Sequence, residues 1–452
     1  MFQNKRIGLA LSGGGYRAAA FHLGVLQKLH ELKVLPNVDV LSTISGGSIT
    51  GAYYCLAKKD YKTFETEMIQ RLSTQSVIRR VIFSWVFIRS VLLVLFFLAA
   101  AGYLLYTPYP WLSFVALSIF LWVSMKFQFQ IFPASKAVED AYKKIFYEGK
   151  TLKDLDDKMP VIAMGSSNIQ TGRPFTFAKK KMGDTSYTYA KGQRTEVFLP
   201  GDFPIARAVT ASSCVPFAFS PVTIAPEFII GDHKVDPQLI DGGVYDNQGA
   251  HKLTHPESEY ACDLIIVSDA GNRMFQHTYK NTIALLVRTV DVFMARIKNF
   301  QMTKNLYSQG AQRPFHIAYL GLSWDLTRSI QGFINAMVEN NVPTATLDAH
   351  ALKSEWRANP EDHRKDIDAH LSSRVKFKEI MARNLTQDNM KIAQSVSTNL
   401  TALSDEQIEC LMTHAANMAE IQIRLYLPEL IVGETGEAPA GENLNSDHGT
   451  GN

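Results

Sequence analysis

The stretch VDVLSTISGGSITGAYY, Val38–Tyr54, decides how the chain is read. β-Compatible apolar residues run into Ser45-Gly46-Gly47, and helix-compatible sequence follows at once. A serine in a tight corner between strand and helix is the arrangement of a nucleophile elbow. The first turn of the following helix aims its amides back at that serine and favours negative charge there. A plain serine-glycine turn would look the same, so the rest of the chain must decide.

Upstream, RIGLAL (Arg6–Leu11) predicts a buried strand. SGGG breaks it, and YRAAAFHLGVLQKLHEL predicts a helix of about four turns. VDVLST predicts a second strand and SITGAYYCLAKK a second helix. Strand, helix, strand, helix in that order implies a parallel sheet covered on both faces.

The chain has 452 residues, 46% of them apolar, and a formal net charge of +3. That is enough to bury a sizeable core, and it gives no polyanion signal. There is no zinc-finger spacing, basic helix or aromatic RNA platform, so nucleic acid is set aside as a partner. Cys55, Cys214, Cys262 and Cys410 form no CxxC pair, and each has apolar neighbours. They read as buried thiols of a reducing compartment. The start, MFQNKRIGLALSGGG, does not read as a signal peptide, because its apolar run is short and enters glycines.

Residues 79–127 are a different material. Val91–Tyr106 and Trp111–Met125 are uncharged, and Pro108 and Pro110 separate them. At 1.5 Å per residue each covers only about 24 Å, against ~30 Å of hydrocarbon. The first extends upstream to Val81 if Arg89 snorkels. Tyr103, Tyr106, Tyr109 and Trp111 gather at the tip, as in an interfacial belt. Arg79, Arg80, Arg89 and Lys126 gather at the other end, which the positive-inside rule puts in the cytoplasm. The expectation is a two-helix membrane hairpin, spanning or re-entrant. A buried hairpin or an oligomer interface is the alternative, which leaves a homo-oligomer open.

Beyond the hairpin the α/β texture resumes. MPVIAMGSSN predicts a strand, RPFTFA and SYTYA a β-ribbon, and PIARAVTASSCVPF a small-residue helix. FSPVTI, PQLIDGG and CDLIIVSDAG predict strands, the last of parallel type. From about Asn281 the chain predicts helices, the last opened by a capping box of Ser404 and Gln407. The closing polar, glycine-rich residues read as disordered.

Two further corners accompany Ser45. Gly13, Gly14 and Gly15 follow the first strand and let backbone N–H groups face a phosphate or an oxyanion. Neither GxxxxGK[ST] nor GxGxxG spacing is present. Arg17 can brace that loop. Asp241, in LIDGGVYDNQG, also ends a strand, and parallel strand ends share one rim. It can serve as the base on Ser45. Asp246 and Asp269 are rival carboxylates, and Ser48 is a rival serine that reads better as an N-cap. No acidic calcium loop is visible.

SGGGYR, then TISGG, then DGG resembles the patatin-like phospholipases. TASSCVPFAFSPV and LSDEQIECLMTHAANMAE resemble other segments of the same family. The sequence departs at Ser12, where the family has Asp, at Ala18, where it has Gly, and at Thr43, the elbow's first glycine. The resemblance implies a three-layer α/β/α core with a mainly parallel sheet; the apolar hairpin, which is not part of the usual family core, is inserted into it, and a helical C-terminal region follows. The implied division is 1–78 and 128–280 for the halves of the core and 79–127 for the hairpin. It continues with 281–430 for the helical region and 431–452 for the tail. It also implies a Ser45–Asp241 dyad, an oxyanion hole from Gly13, Gly14, Gly15 and Gly46, support from Arg17, and no cofactor. The implied substrate is a membrane glycerophospholipid or lysophospholipid; the basic flanks of the hairpin place the catalytic domain on the cytoplasmic face of the inner membrane. Two alternatives stand beside it. One is a Ser-His-Asp triad using His251 or His255; the other is a membrane-anchored binding or regulatory module with an inactive hydrolase fold.

Overall fold

The computed structural model describes residues 5–56, 60–188, 196–231, 235–271, 278–307 and 315–431. The main strands are β1 (Ile7–Leu11), β2 (Val40–Ile44), β3 (Val161–Asn168), β4 (Arg173–Phe177), β5 (Gln238–Asp241), β6 (Leu264–Asp269) and β7 (His316–Gly321). β7, β6, β1, β2 and β3 lie side by side and parallel. β4 and β5 pair with β3 antiparallel.

The parallel strands are buried on both sides, so they read as apolar runs without strict alternation. Alternate residues still separate. Leu9, Leu11, Leu41 and Ile266 enter a large core with helices α1 (Gly15–Glu31) and α2 (Gly46–Leu56). Ala10, Val40, Ile265 and Val267 enter a smaller core on the opposite face. This is the three-layer α/β/α arrangement that the sequence implied.

One register decides the site. Ile44 at the end of β2 pairs with Gly165, and Asp241 at the end of β5 pairs with Ser166 on the same edge of β3. The two strands come from opposite directions and meet one step apart along β3. The residue after Ile44 is therefore brought beside Asp241.

The hairpin consists of α3 (Trp85–Leu104) and α4 (Leu112–Lys126). α3 is 20 residues long, about 30 Å at 1.5 Å per residue. It exceeds the uncharged run because Trp85–Ser90 continue the helix through Arg89. It has a mean hydropathy of 2.2, and only 6% of its most apolar window is buried. The Arg89 guanidinium donates to the carbonyls of Gln130 and Ile131, at 3.1 and 3.3 Å. The charge expected to snorkel is thus satisfied by backbone at the hairpin's root. α4 runs into the next helical segment through an 83° bend.

Three expectations change. His316–Gly321 falls in the stretch expected to be helical, yet it is a strand paired in parallel with β6. The sheet therefore continues past residue 280, and helix α8 (Asp405–Tyr426), with the expected Ser404–Gln407 capping box, packs its buried face into the large core. The RPFTF strand is partnered by Met182–Gly183, while Thr185–Thr188 is a helical turn, so SYTYA forms no ribbon among the described residues. Ser48 sits inside α2, which begins at Gly46, and so is not its N-cap. All four cysteines are buried and free. The tail from 432 onward lies outside the described residues.

Candidate active site

Ser45 is fully helical in neither element. Its φ is +48°, a left-handed conformation that L residues other than glycine adopt at a cost of about 1–2 kcal/mol. Its N–H donates to Ser212 Oγ at 2.9 Å, and its carbonyl accepts from the amides of Ser48 and Ile49. Ser212 Oγ in turn donates to the Gly165 carbonyl at 2.6 Å and meets Ser48 Oγ at 2.9 Å. Ser48 Oγ also meets Thr43 Oγ1 at 2.9 Å. The threonine that replaces a glycine is thus absorbed into this hydroxyl network. Gly46 follows because a Cβ there would run into the backbone of Gly15.

Asp241 is buried, and its carboxyl lies close to the Ser45 hydroxyl. Its Oδ1 accepts from the Gly243 amide at 2.7 Å. The turn is pinned from behind, where Asp241 N–H donates to the Cys214 carbonyl and Gly242 N–H to that of Ser212. Burial pushes the carboxyl up to about 6, and the Gly243 amide and then the nearby Ser45 hydroxyl oppose that rise. A carboxylate held near neutrality is suited to taking and returning a proton.

The glycine loop lies against the elbow. Gly14 and Gly15 have φ of +144° and +60°, which favour glycine. The Gly13 amide donates to the Asn247 carbonyl at 3.0 Å, so it is not the open donor the sequence suggested. Among the described residues, no intramolecular acceptor is recorded for the amides of Gly14, Gly15 and Gly46. Arg17 is buried; its Nε donates to Ala270 and its Nη1 to Val396, both carbonyls at 3.1 Å. It ties α1 to the loop after β6 and to a distant C-terminal segment. Burial lowers its pKa to about 10, an effect opposed by Asp269.

Ser12, where the family has Asp, is a junction. Its Oγ accepts from Ala270 N–H at 2.8 Å, and its carbonyl accepts from Gly47 N–H at 3.1 Å. His22 Nε2 reaches the same carbonyl at 2.9 Å, and Nδ1 lies 2.7 Å from Ser268 Oγ. Burial lowers the His22 pKa to about 4, so the ring is neutral at physiological pH. Reading the sequence alone missed His22, Ser212 and Asn247. Asn247 follows Asp241 by six positions, and its Oδ1 occupies the space that a Cβ on Gly13 or Gly243 would need.

The rivals have other partners. Asp246 accepts the His251 amide at 2.7 Å, and Asp269 binds Gln248, Gly271 and Lys298. The His251 ring packs against Tyr245 and His255, and among the described residues neither histidine bonds to Ser45 or Asp241. Helix α7 (Thr282–Tyr307) roofs the site, with Met294 filling the space beside Gly243. A cavity of about 720 Å³ lined by His30, Tyr54 and Tyr61 opens at the opposite end of the sheet, where β1 and β2 begin. Among the described residues no group of three His, Cys, Asp or Glu side chains could hold a metal ion.

The fold of the chain is similar to that of human GIVD cytosolic phospholipase A2, with 11% identity and a TM-score of 0.44 over 94% of this chain and 62% of that one. The same human enzyme in complex with methyl gamma-linolenyl fluorophosphonate gives 12% identity and a TM-score of 0.45, over 95% and 59%. VipD from Legionella pneumophila gives 11% and 0.29, over 96% and 92%. The chain thus spans less than two thirds of the length of the human enzyme. No curated protein sequence matches it. The family model described as patatin-like phospholipase matches residues 9–254, more than half of the chain, and the chain belongs to that family.

Proposed function

We propose that the chain is a membrane-associated serine acyl hydrolase that cleaves fatty-acyl esters of glycerophospholipids or lysophospholipids. One observation carries the reading: a serine at φ +48° that the register on β3 sets beside a buried aspartate, next to loop amides that have no acceptor among the described residues. Ser45 Oγ attacks the ester carbonyl while Asp241 takes its proton. The amides of Gly14, Gly15 and Gly46 stabilise the tetrahedral oxyanion. Asp241 returns the proton to the departing alcohol, which leaves an acyl-enzyme. Water, deprotonated by Asp241, then attacks the acyl carbonyl; the acyl–Oγ bond breaks, Asp241 returns the proton to Ser45 Oγ, and the fatty acid leaves.

The hairpin supports the membrane part of the reading. Its root is close to the glycine loop: Val77 and Ile78 donate to the Leu400 carbonyl, and the neighbouring Asn399 carbonyl accepts from Tyr16. The exposed aromatic tip and the basic root favour a hairpin entering from the cytoplasmic side, with the dyad beside the inner leaflet. The oxyanion loop and nucleophile precede the hairpin and Asp241 follows it. The chain must therefore cross an even number of times or enter and return.

The test is turnover of a fluorogenic phospholipid by purified wild type, Ser45→Ala and Asp241→Asn. Loss in both variants supports the dyad. Full activity in Ser45→Ala sinks it. Extraction of the chain into the soluble fraction by carbonate alone sinks the membrane assignment.

A further inference from the structure

Helix α7 has two unlike faces. Inward, Met294 lies against Gly243, Lys298 pairs with Asp269 at 3.2 Å, and Met302 and Leu306 pack on the smaller core. Outward, Leu286, Phe293 and Phe300 are 50%, 59% and 70% exposed. They recur every seven residues, about two turns, so they form one stripe. Leu285 and Val292 widen it. With Lys298 paired inward to Asp269, the helix still carries Arg288, Arg296 and Lys304 against the single acidic residue Asp291. Arg296 falls within the apolar stripe itself.

A stripe of this kind on the roof of a catalytic centre calls for an apolar partner. Charge selects it. An amphipathic helix with a cationic excess fits an anionic lipid surface, with arginine reaching the headgroup phosphates. A second copy of the same helix would bring like charges together. Geometry agrees, since the inner face touches the Asp-Gly-Gly turn. Whatever the outer face touches is one helix diameter, about 10 Å, from the dyad.

We propose that the outer face of α7 is a second lipid-docking surface, selective for anionic bilayers, that lies in the headgroup layer and holds the dyad against it. The proposal rests on the membrane-associated reading above. It adds a contact from the part of the chain after Asp241, where the hairpin supplies one from the part before.

The test uses the full chain with Ser45→Ala, so that no outcome depends on turnover. A solvatochromic fluorophore is attached in turn to Phe293→Cys on α7, Leu98→Cys in the hairpin and Lys391→Cys on an exposed helix. The native cysteines are buried. Each protein is mixed with vesicles of phosphatidylglycerol or of phosphatidylcholine. The expected result is a blue shift and severalfold brightening at 293 with phosphatidylglycerol, weaker with phosphatidylcholine and reduced by salt. Position 98 should be dry with both lipids and position 391 wet with both. Position 293 remaining wet while 98 is dry overturns the docking of α7 and leaves the hairpin standing. Both remaining wet overturns the membrane-associated reading as well. A blue shift at 293 that grows with protein concentration without lipid assigns the stripe to a second copy and overturns the proposal.

Discussion

The catalytic rim and the hairpin invert the usual distribution of side chains in opposite senses. At the rim Ser12, His22, Ser45, Ser48, Ser212, Asp241 and Asp269 are all buried. In the hairpin Leu92, Leu95, Phe96, Leu98, Phe114, Leu121 and Trp122 are all exposed. Buried polar groups are tolerable only when hydrogen-bonded, and the rim's hydroxyls and carboxylates meet that condition through one another and the backbone. Exposed apolar groups are tolerable when the surrounding solvent is itself apolar, and among the described residues nothing else covers these hairpin side chains. On the proposed reading the rim is specified by pairing and the hairpin by an apolar medium. The two should respond to different perturbations.

The largest expected effect is at the rim. Ser45→Ala and Asp241→Asn should each lower kcat by about 10⁴–10⁶-fold on a fluorogenic phospholipid. Neither should release the chain from membranes. The hairpin should show the converse. Leu95→Arg with Leu98→Arg places two charges at the middle of α3, each costing about 2.5–3.5 kcal/mol on insertion. Carbonate extraction should then move the chain from pellet to supernatant. An unchanged pellet fraction would remove the contrast in medium.

A smaller effect tests whether pairing holds the rim together. Ser212→Ala removes the acceptor of the Ser45 amide and the donor to Gly165. The loss should be about 1–3 kcal/mol in denaturant unfolding. The pH profile sharpens the same point. Asp241 must be ionised to take the Ser45 proton, and burial holds its carboxyl up near 6. Below about pH 6, kcat/KM should fall roughly tenfold per unit, and above it the rate should level off. A limb near pH 4 would mean that the aspartate is better solvated than its burial implies. The smallest effect is at His251, whose ring packs against Tyr245 and His255. His251→Ala should keep kcat within about twofold, and a loss comparable to Ser45→Ala would restore the triad.

Much was legible from local sequence. The parallel core strands are apolar runs bounded by glycine, so their existence and their order with the helices follow from short-range pattern. The three corners carrying Ser45, Gly13–Gly15 and Asp241 are each written in a few adjacent residues. The two apolar helices and their break at Pro108 and Pro110 follow from composition and from proline's missing donor. His316–Gly321 was not legible, because HIAYLG looks no different from a helical segment until β6 offers it an edge. SYTYA misled for the converse reason, since β-compatible residues form a ladder only where a neighbouring strand has open backbone.

Only the tertiary structure decided the rest of the site. The nearness of Ser45 to Asp241 depends on β2 and β5 meeting one step apart on β3. Pairing across 196 residues of chain is not encoded near either partner. The commitment of the Gly13 amide to Asn247, and the bonds of Ser212 to Ser45 and of His22 to Ser268, are likewise long-range hydrogen bonds. Sequence by itself determined which residues could do chemistry, because conformational preference and polarity are local. Tertiary structure decided which of them meet and which donors remain open, because both depend on the register of strands distant in the chain.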